Sequence, residues 1–428
     1  MRGHRVRLPL AFAAAVVAAG VATVILRPRG VSIEPVAVEA AAYFSSDDLE
    51  RASDYRDPQR LLGLLGLGVS AGVLVLLVVR PPRRFAAALE RGARRPLLGA
   101  AAAGAGISLV LMVAGLPLGL IGHKRAVDVG LSTQEPAAWV ADLAKSAAIE
   151  AALAAFGAAV LLALVRRLPR AWWAPAALAV VAFGAASTFL SPVLIEPLFN
   201  EFEPLPAGPL RTEVLGLADR AGVSVGEVYG VDASRRTTGA NAYVGGLGST
   251  KRVVLYDNLI EEFPPAEVRS VVAHELAHQR QRDLLRGLAW LALVAPAGLF
   301  LTKALAERLP GGPRPGGHSR PGPEALPALA LALALVAFAG GMASNVLSRS
   351  VEARADSFAL DLTREPVAFI GLERRLALRN VSQPDPPGLL HTLFGTHPTT
   401  LERIGAGEAF RREGQERRPV PRGTPADP

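Results

Sequence analysis

His274-Glu275-Leu276-Ala277-His278 sets two imidazoles one helical turn apart, with a carboxylate between them. Residues four apart on a helix share a face, so His274 and His278 can close on one metal ion from the same side. Glu275 lies beside that face, within reach of a water such an ion would hold. The competing reading is a surface helix with two solvated histidines. The surroundings of the stretch separate the two.

Just beyond His278 an apolar run begins near 285–306, and another follows near 324–347. Each is long enough to cross a bilayer, which takes about 20 helical residues. The second runs without an evident break into Ser348-Arg349-Ser350-Val351-Glu352-Ala353-Arg354-Ala355-Asp356. Both segments therefore leave the bilayer close together, and a metal between them would sit near the membrane surface. A catalytic zinc site usually takes three protein ligands and keeps one position open. Glu352 is the candidate third ligand, with Asp356 four residues on along the same face. Without the histidines, both acids would read as solvated carboxylates paired with Arg349 and Arg354.

Five more runs lie near 8–26, 61–80, 97–121, 146–165 and 171–195, which makes seven spans in 428 residues. Half of the chain is hydrophobic and only 6% aromatic, and the mean hydropathy is +0.31, too high for an ordinary soluble domain. The first run follows Arg2, Arg5 and Arg7 in the manner of a signal peptide. Its length and the six runs behind it favour a retained anchor. The pairs Gly68/Gly72 and Gly115/Gly119 have the small-residue spacing of close helix packing. No cysteine is present, so any metal must be held by His, Asp or Glu. The net charge of +8 comes from arginines gathered in short loops, the pattern of topology determinants rather than of a nucleic-acid surface.

Two stretches are not membrane. Residues 197–284 read as a helix from Leu210 to Ala221, strands at Glu227–Val231, Ala240–Val244 and Arg252–Tyr256, and the histidine helix, which Pro264-Pro265 starts. Gly245-Gly246-Leu247-Gly248 reads as a hairpin connection between the last two strands. Residues 348–412 read as mostly helical, 309–323 as a Pro/Gly loop, and 413–428 as a disordered tail.

These features together resemble peptidase family M48, in its CAAX prenyl protease 1 (Ste24-type) branch. The resemblance rests on His274 to His278, on Glu352-Ala353-Arg354-Ala355-Asp356 as E-x-x-A-D, and on Thr396-His397-Pro398 followed by Glu402-Arg403-Ile404. Gly130 to Gln134, Pro197 to Leu205, Asn241-Ala242-Tyr243 and Arg252 to Asp257 match as well, so it spans about residues 50–405. It implies a mostly α, polytopic fold of about seven transmembrane helices with a small α+β zincin-like catalytic domain at the membrane surface. The five-span region would be 1–196 and the peptidase domain 197–412. It further implies one Zn2+ per chain on His274, His278 and Glu352, with Glu275 as general base. Asp356 would be a proton donor or, on physical grounds, would orient a ligand histidine. His397 would stabilise the oxyanion. Asn241, Ala242 and Tyr243 would pair with the substrate backbone, and Arg403 would serve substrate binding or orientation.

The function so implied is a multi-pass cell-membrane zinc metalloendopeptidase. It would cut extended or membrane-associated peptides, possible lipid tethering included, in contact with the bilayer and not with nucleic acid. Alternatives are a membrane-protein quality-control protease and, from another class, a catalytically silent scaffold. Asp283 stands where the eukaryotic branch has a further histidine and is not a ligand. His391, His4, His123 and His318 read as ordinary polar residues, and Glu150 as either a functional intramembrane acid or an interfacial one. The arginine bias places the N-terminus in the cytoplasm and 197–284 outside, whereas the eukaryotic branch has that domain in the cytosol.

Overall fold

The apolar runs give helices that are hydrophobic on every face. A computed structural model describes residues 8–30, 32–245, 251–314 and 320–416. The first part of the chain forms α1 (Leu8–Leu26), α2 (Ser46–Val79), α3 (Arg83–Gly92), α4 (Pro96–Asp128), α5 (Pro136–Arg167) and α6 (Trp173–Leu194). Next come β1 (Phe202–Pro204), α7 (Pro209–Ala221), β2 (Glu227–Val231), β3 (Ala242–Gly245), β4 (Arg252–Tyr256), α8 (Asp257–Glu262) and α9 (Pro265–Arg280). The chain closes with α10 (Asp283–Ala306), α11 (Leu326–Thr363), α12 (Pro366–Arg379), α13 (Gly388–Phe394) and α14 (Thr400–Glu416).

Among the described residues, α1, α2, α4, α5, α6, α10 and α11 are long and apolar enough to cross a membrane. Their outer faces leave large side chains bare, Val24 at 75% and Leu178 at 71% exposed. Water would disfavour such a belt and lipid tails would not. The molecule is a polytopic helical membrane protein that carries a small α+β unit.

The helix ends sort onto two faces. Leu8 packs with Leu301 and Ala304 at the end of α10, whereas Leu26 packs with Trp290 and Leu347. The end of α1, the start of α10 and the end of α11 therefore share a face. Here α2, α4 and α5 outrun their apolar stretches, because polar turns are stable in a helix once out of the lipid. A capping box of Ser45 and Asp48 starts α2 and satisfies its free N–H groups. These turns dock on the α+β unit: Arg56 Nε donates to Val381 O at 2.7 Å and Thr133 N to Arg236 O at 3.1 Å. On the other face Arg166 Nη1 donates to Pro321 O at 2.6 Å, which gathers the 166–172 turn with the α10–α11 connection.

The sheet has the order β1-β2-β4-β3, with β2 and β4 parallel and both outer pairings antiparallel. β2 and β4 have their expected bounds. β3 begins at Ala242 rather than at residue 240, and Asn241 precedes it with its carbonyl accepting from Tyr256 N at 3.1 Å. β1 has no alternating signature; it ends on Pro204 at a sheet edge, where a missing N–H costs nothing. Helix α9 is sandwiched. Val268, Val272 and Leu276 pack with the sheet and α7, and Ala273 packs on Ala359, Leu360 and Phe369.

The glycine pairs are a correction. A Cβ at Gly68, Gly72, Gly115 or Gly119 meets nothing within 4 Å, whereas one at Gly104 would lie 2.4 Å from Ala154 O and 2.6 Å from Ala158 Cβ. Close packing of α4 on α5 needs Gly104, and spacing alone cannot tell which glycines face a neighbour. Helix α14 runs to Glu416, into the stretch expected as tail from 413. The remainder of that tail, Gly246 to Gly248, His4, His318 and the arginines at 2, 5 and 7 lie outside the described residues.

Candidate metal and catalytic site

His274 and His278 sit on α9, and His274 is only 6% exposed, which removes the reading of a solvated surface helix. Their Nε2 atoms face each other at 3.2 Å. Glu352 reaches in from α11, with Oε2 3.2 Å from His274 Nε2 and Oε1 3.7 Å from His278 Nε2. One ligand atom from each of the three residues lies within 4.8 Å of the others.

The far nitrogens explain why the near ones converge. His274 Nδ1 lies 2.8 Å from Asp356 Oδ1, and His278 Nδ1 lies 3.0 Å from Asp283 Oδ2. A carboxylate on each Nδ1 fixes the proton there and leaves both Nε2 lone pairs free to bind a metal. Asp283 can do this because Arg282, in the left-handed region at φ 55°, swings the chain from α9 into α10; Asp283 is in turn paired with Arg286. Burial alone would lower the His274 pKa, yet the Asp356 and Glu352 carboxylates hold it up at about 10. The site is therefore built for positive charge. Two nitrogen donors and one carboxylate, aimed at one point from rigid helices, fit a divalent ion of the zinc type.

Behind Asp356 stands Arg403 of α14, with Nε 2.9 Å from Oδ2 and Nη2 2.6 Å from Oδ1. Its Nη1 meets Glu373 of α12 at 2.8 Å. The guanidinium is thus engaged on two carboxylates, contacts that suit orientation of Asp356 more than a grip on substrate. Burial pushes the Glu373 carboxyl up to about 7, against the pull of Arg403.

On the open side, Glu275 is half-buried, and burial raises its pKa while the two imidazoles draw it down. His397 lies at the rim with Nε2 3.3 Å from Glu352 Oε2, and Thr396 Oγ1 lies 2.9 Å from its Nδ1. Burial lowers the His397 pKa. Of the strand residues, Asn241 is exposed, Ala242 is buried, and the Tyr243 hydroxyl donates to Glu196 Oε2 at 2.5 Å. β3 is an edge strand. Because Asn241 pairs with Tyr256 across to β4, alternation turns the main-chain groups of Ala242 and Val244 to the free side. Gln279 Nε2 takes one of them, Val244 O, at 2.9 Å.

His391 and His123 lie apart from this group; His123 stacks on Trp139 with centroids 4.5 Å apart. Glu150 lines an apolar cavity of about 640 Å3 among the spans. Sequence reasoning gave Asp283 no role beyond not being a ligand, and did not find Glu373. Asp283 carries a local signal, an acid at the first position of the helix after His278. Glu373 carries none, since only packing of α12 against α14 brings it to Arg403.

Comparison with known proteins agrees with this architecture. Residues 204–409 match Peptidase family M48, and residues 33–201 match the family described as CAAX prenyl protease N-terminal, five membrane helices. An uncharacterized metalloprotease YhfN of Bacillus subtilis is 31% identical over 380 residues, 88% of this chain and 89% of that one. CAAX prenyl protease 1 of Saccharomyces cerevisiae is 33% identical over 150 residues, 34% of this chain and 33% of its own. The crystal structure of S. mikatae Ste24p shares the fold at a TM-score of 0.74 and 19% identity, covering 95% of this chain and all of that one. Fold and site thus define a multi-pass membrane metalloprotease. The chain belongs to peptidase family M48.

Proposed function

We propose that the protein is a zinc-dependent endopeptidase that cuts extended peptides delivered from the membrane or its surface. The observation that carries this reading is the convergence of His274 Nε2, His278 Nε2 and a Glu352 oxygen, each imidazole backed by its own carboxylate. His274, His278 and Glu352 would hold the ion. When bound, zinc supplies Lewis acidity, lowering the pKa of water to about 7 and polarising a carbonyl. Glu275 accepts the proton of the attacking water on its carboxylate and passes it to the leaving nitrogen. Asp356 and Asp283 keep the protons of the two imidazoles on Nδ1, and Arg403 holds Asp356 in place. His397 Nε2 donates toward the oxygen that gains charge, an interaction of a kind whose loss costs about 10² to 10³ in rate. The domain division at about 196/197 and 412 belongs to the same proposal.

The free edge of β3 supports docking of substrate as an added strand along Asn241, Ala242 and Tyr243. That mode demands little of side chains. A lipid-tethered peptide should therefore be cut faster than the same peptide free in solution, and equal efficiency in reconstituted vesicles would remove membrane delivery while sparing the chemistry. Trimming in the manner of a CAAX prenyl protease is the substrate reading we favour, with membrane-protein quality control as the alternative. A silent scaffold has no need to keep His274, Glu275, His278, Glu352 and His397 together. Glu275→Gln separates base from ligand: the purified variant should keep its zinc and lose turnover. Normal turnover would sink the role assigned to Glu275.

A further inference from the structure

Behind the metal-binding end of α11 lies a cavity of about 590 Å3 whose lining includes Arg27, Arg349, Arg354 and the apolar Ile33 and Val346. Its level in the molecule is defined by its neighbours. Leu26 and Leu347, the last apolar residues of their runs, pack together with Trp290 and Val351, so Arg27 and Arg349 stand where hydrocarbon gives way to water. Neither acid on the wall is paired with these arginines. Asp356 serves His274 and Arg403, and Glu402 accepts from Thr399 N at 2.6 Å. Arg349 donates to neutral carbonyls, at 2.6 Å to Gly395 O and 3.2 Å to Thr392 O. Among the described residues, neither the Arg27 nor the Arg354 side chain has a hydrogen-bond or ion-pair partner. Arg27, Arg349 and Arg354 thus share one concave space, and none of the three forms an ion pair with a carboxylate. Val346, 48% exposed, lies on the lining one helical turn before Arg349, on the side of the bilayer core.

We propose that this cavity binds a phosphate group, that of an anionic phospholipid headgroup seated at the bilayer surface. Guanidinium forks match phosphate oxygens in charge and geometry, and the apolar wall suits the acyl chains. The site adjoins the turns of α11 that carry Glu352 and Asp356, so a bound lipid would brace the segment from which the third ligand projects.

The test uses the full-length protein in nanodiscs of phosphatidylcholine with about one fifth phosphatidylglycerol, with retained lipid counted by native mass spectrometry after transfer to detergent. The wild type should retain phosphatidylglycerol over phosphatidylcholine. Arg27→Gln with Arg354→Gln should lower that preference roughly tenfold or more, and Arg27→Lys with Arg354→Lys should restore part of it. Thermal melting of each variant separates loss of fold from loss of the site. Equal retention by the wild type and a folded glutamine variant would overturn the proposal. Displacement of the lipid by inorganic phosphate at matched concentration would overturn the lipid as the source of the phosphate. Displacement by a short peptide acid but not by its amide would overturn it in favour of a substrate carboxylate. The readout is lipid, so failure here leaves the protease reading untouched.

Discussion

Each imidazole at the candidate centre has two nitrogens with separate tasks, and the carboxylates behind them decide whether the near nitrogens can bind a metal. Asp283 is 7% exposed at its side chain and touches His278 and Arg286 only through its carboxylate, so its truncation tests orientation rather than ligation. Loss of such a supporting partner typically costs 10- to 100-fold in metal affinity. Zinc titration of purified variants should show that loss for Asp283→Ala, near-complete loss for Glu352→Ala, and no change for His391→Ala. Full occupancy in the Glu352 variant would move the third ligand elsewhere, and not to Asp356, whose oxygens face His274 Nδ1 and Arg403. His391, six residues before His397 and without a counterpart in the family pattern, reads as an ordinary polar residue, and its variant tests that reading. Glu373 was not legible, since its partner Arg403 is brought to it only by packing.

Helices in this molecule are placed by contacts that spacing alone does not reveal. Gly104 lets α4 lie directly on the backbone of α5, whereas Gly115 faces open space. Gly104→Val forces a side chain to within 2.4 Å of Ala154 O. It should destabilise the fold by about 1–3 kcal/mol, as overpacked cores do. Gly115→Val should be near neutral in thermal denaturation in detergent. If both variants melt alike, the α4–α5 interface is looser than described. The sheet shows the same division between local and distant information. β2 and β4, rich in valine and tyrosine, were predicted to the residue, whereas β1 has no such signature and pairs along the edge of β2.

The whole molecule is sided. The α+β unit, the polar ends of α2, α4 and α5, and the metal-binding residues share one face, and the 166–172 turn and the α10–α11 connection share the other. Arginines crowd the second, with Arg80, Arg83, Arg84, Arg91, Arg94 and Arg95 in the stretch around α3, so the charge rule puts that face in the cytoplasm. The chain has no cysteine, which makes single-cysteine labelling clean. In sealed vesicles, Glu203→Cys and Arg314→Cys should react with a membrane-impermeant maleimide from opposite sides, Arg314→Cys from the cytoplasmic one. Labelling of both from the same side would contradict the sidedness of the bundle.

The sequence by itself determined the seven spans, because burying about 20 apolar residues in lipid needs no partner. It also determined the His274/His278 pair and the continuity of α11 into Glu352, since helical spacing is local. Tertiary structure alone decided which oxygen stands behind which nitrogen, that Arg403 links Asp356 to Glu373, and which glycine lets two helices touch. Apart from the local His278–Asp283 pair, those outcomes depend on distances between residues tens of positions apart. Hydrophobic periodicity says which face is buried, and only packing says against what.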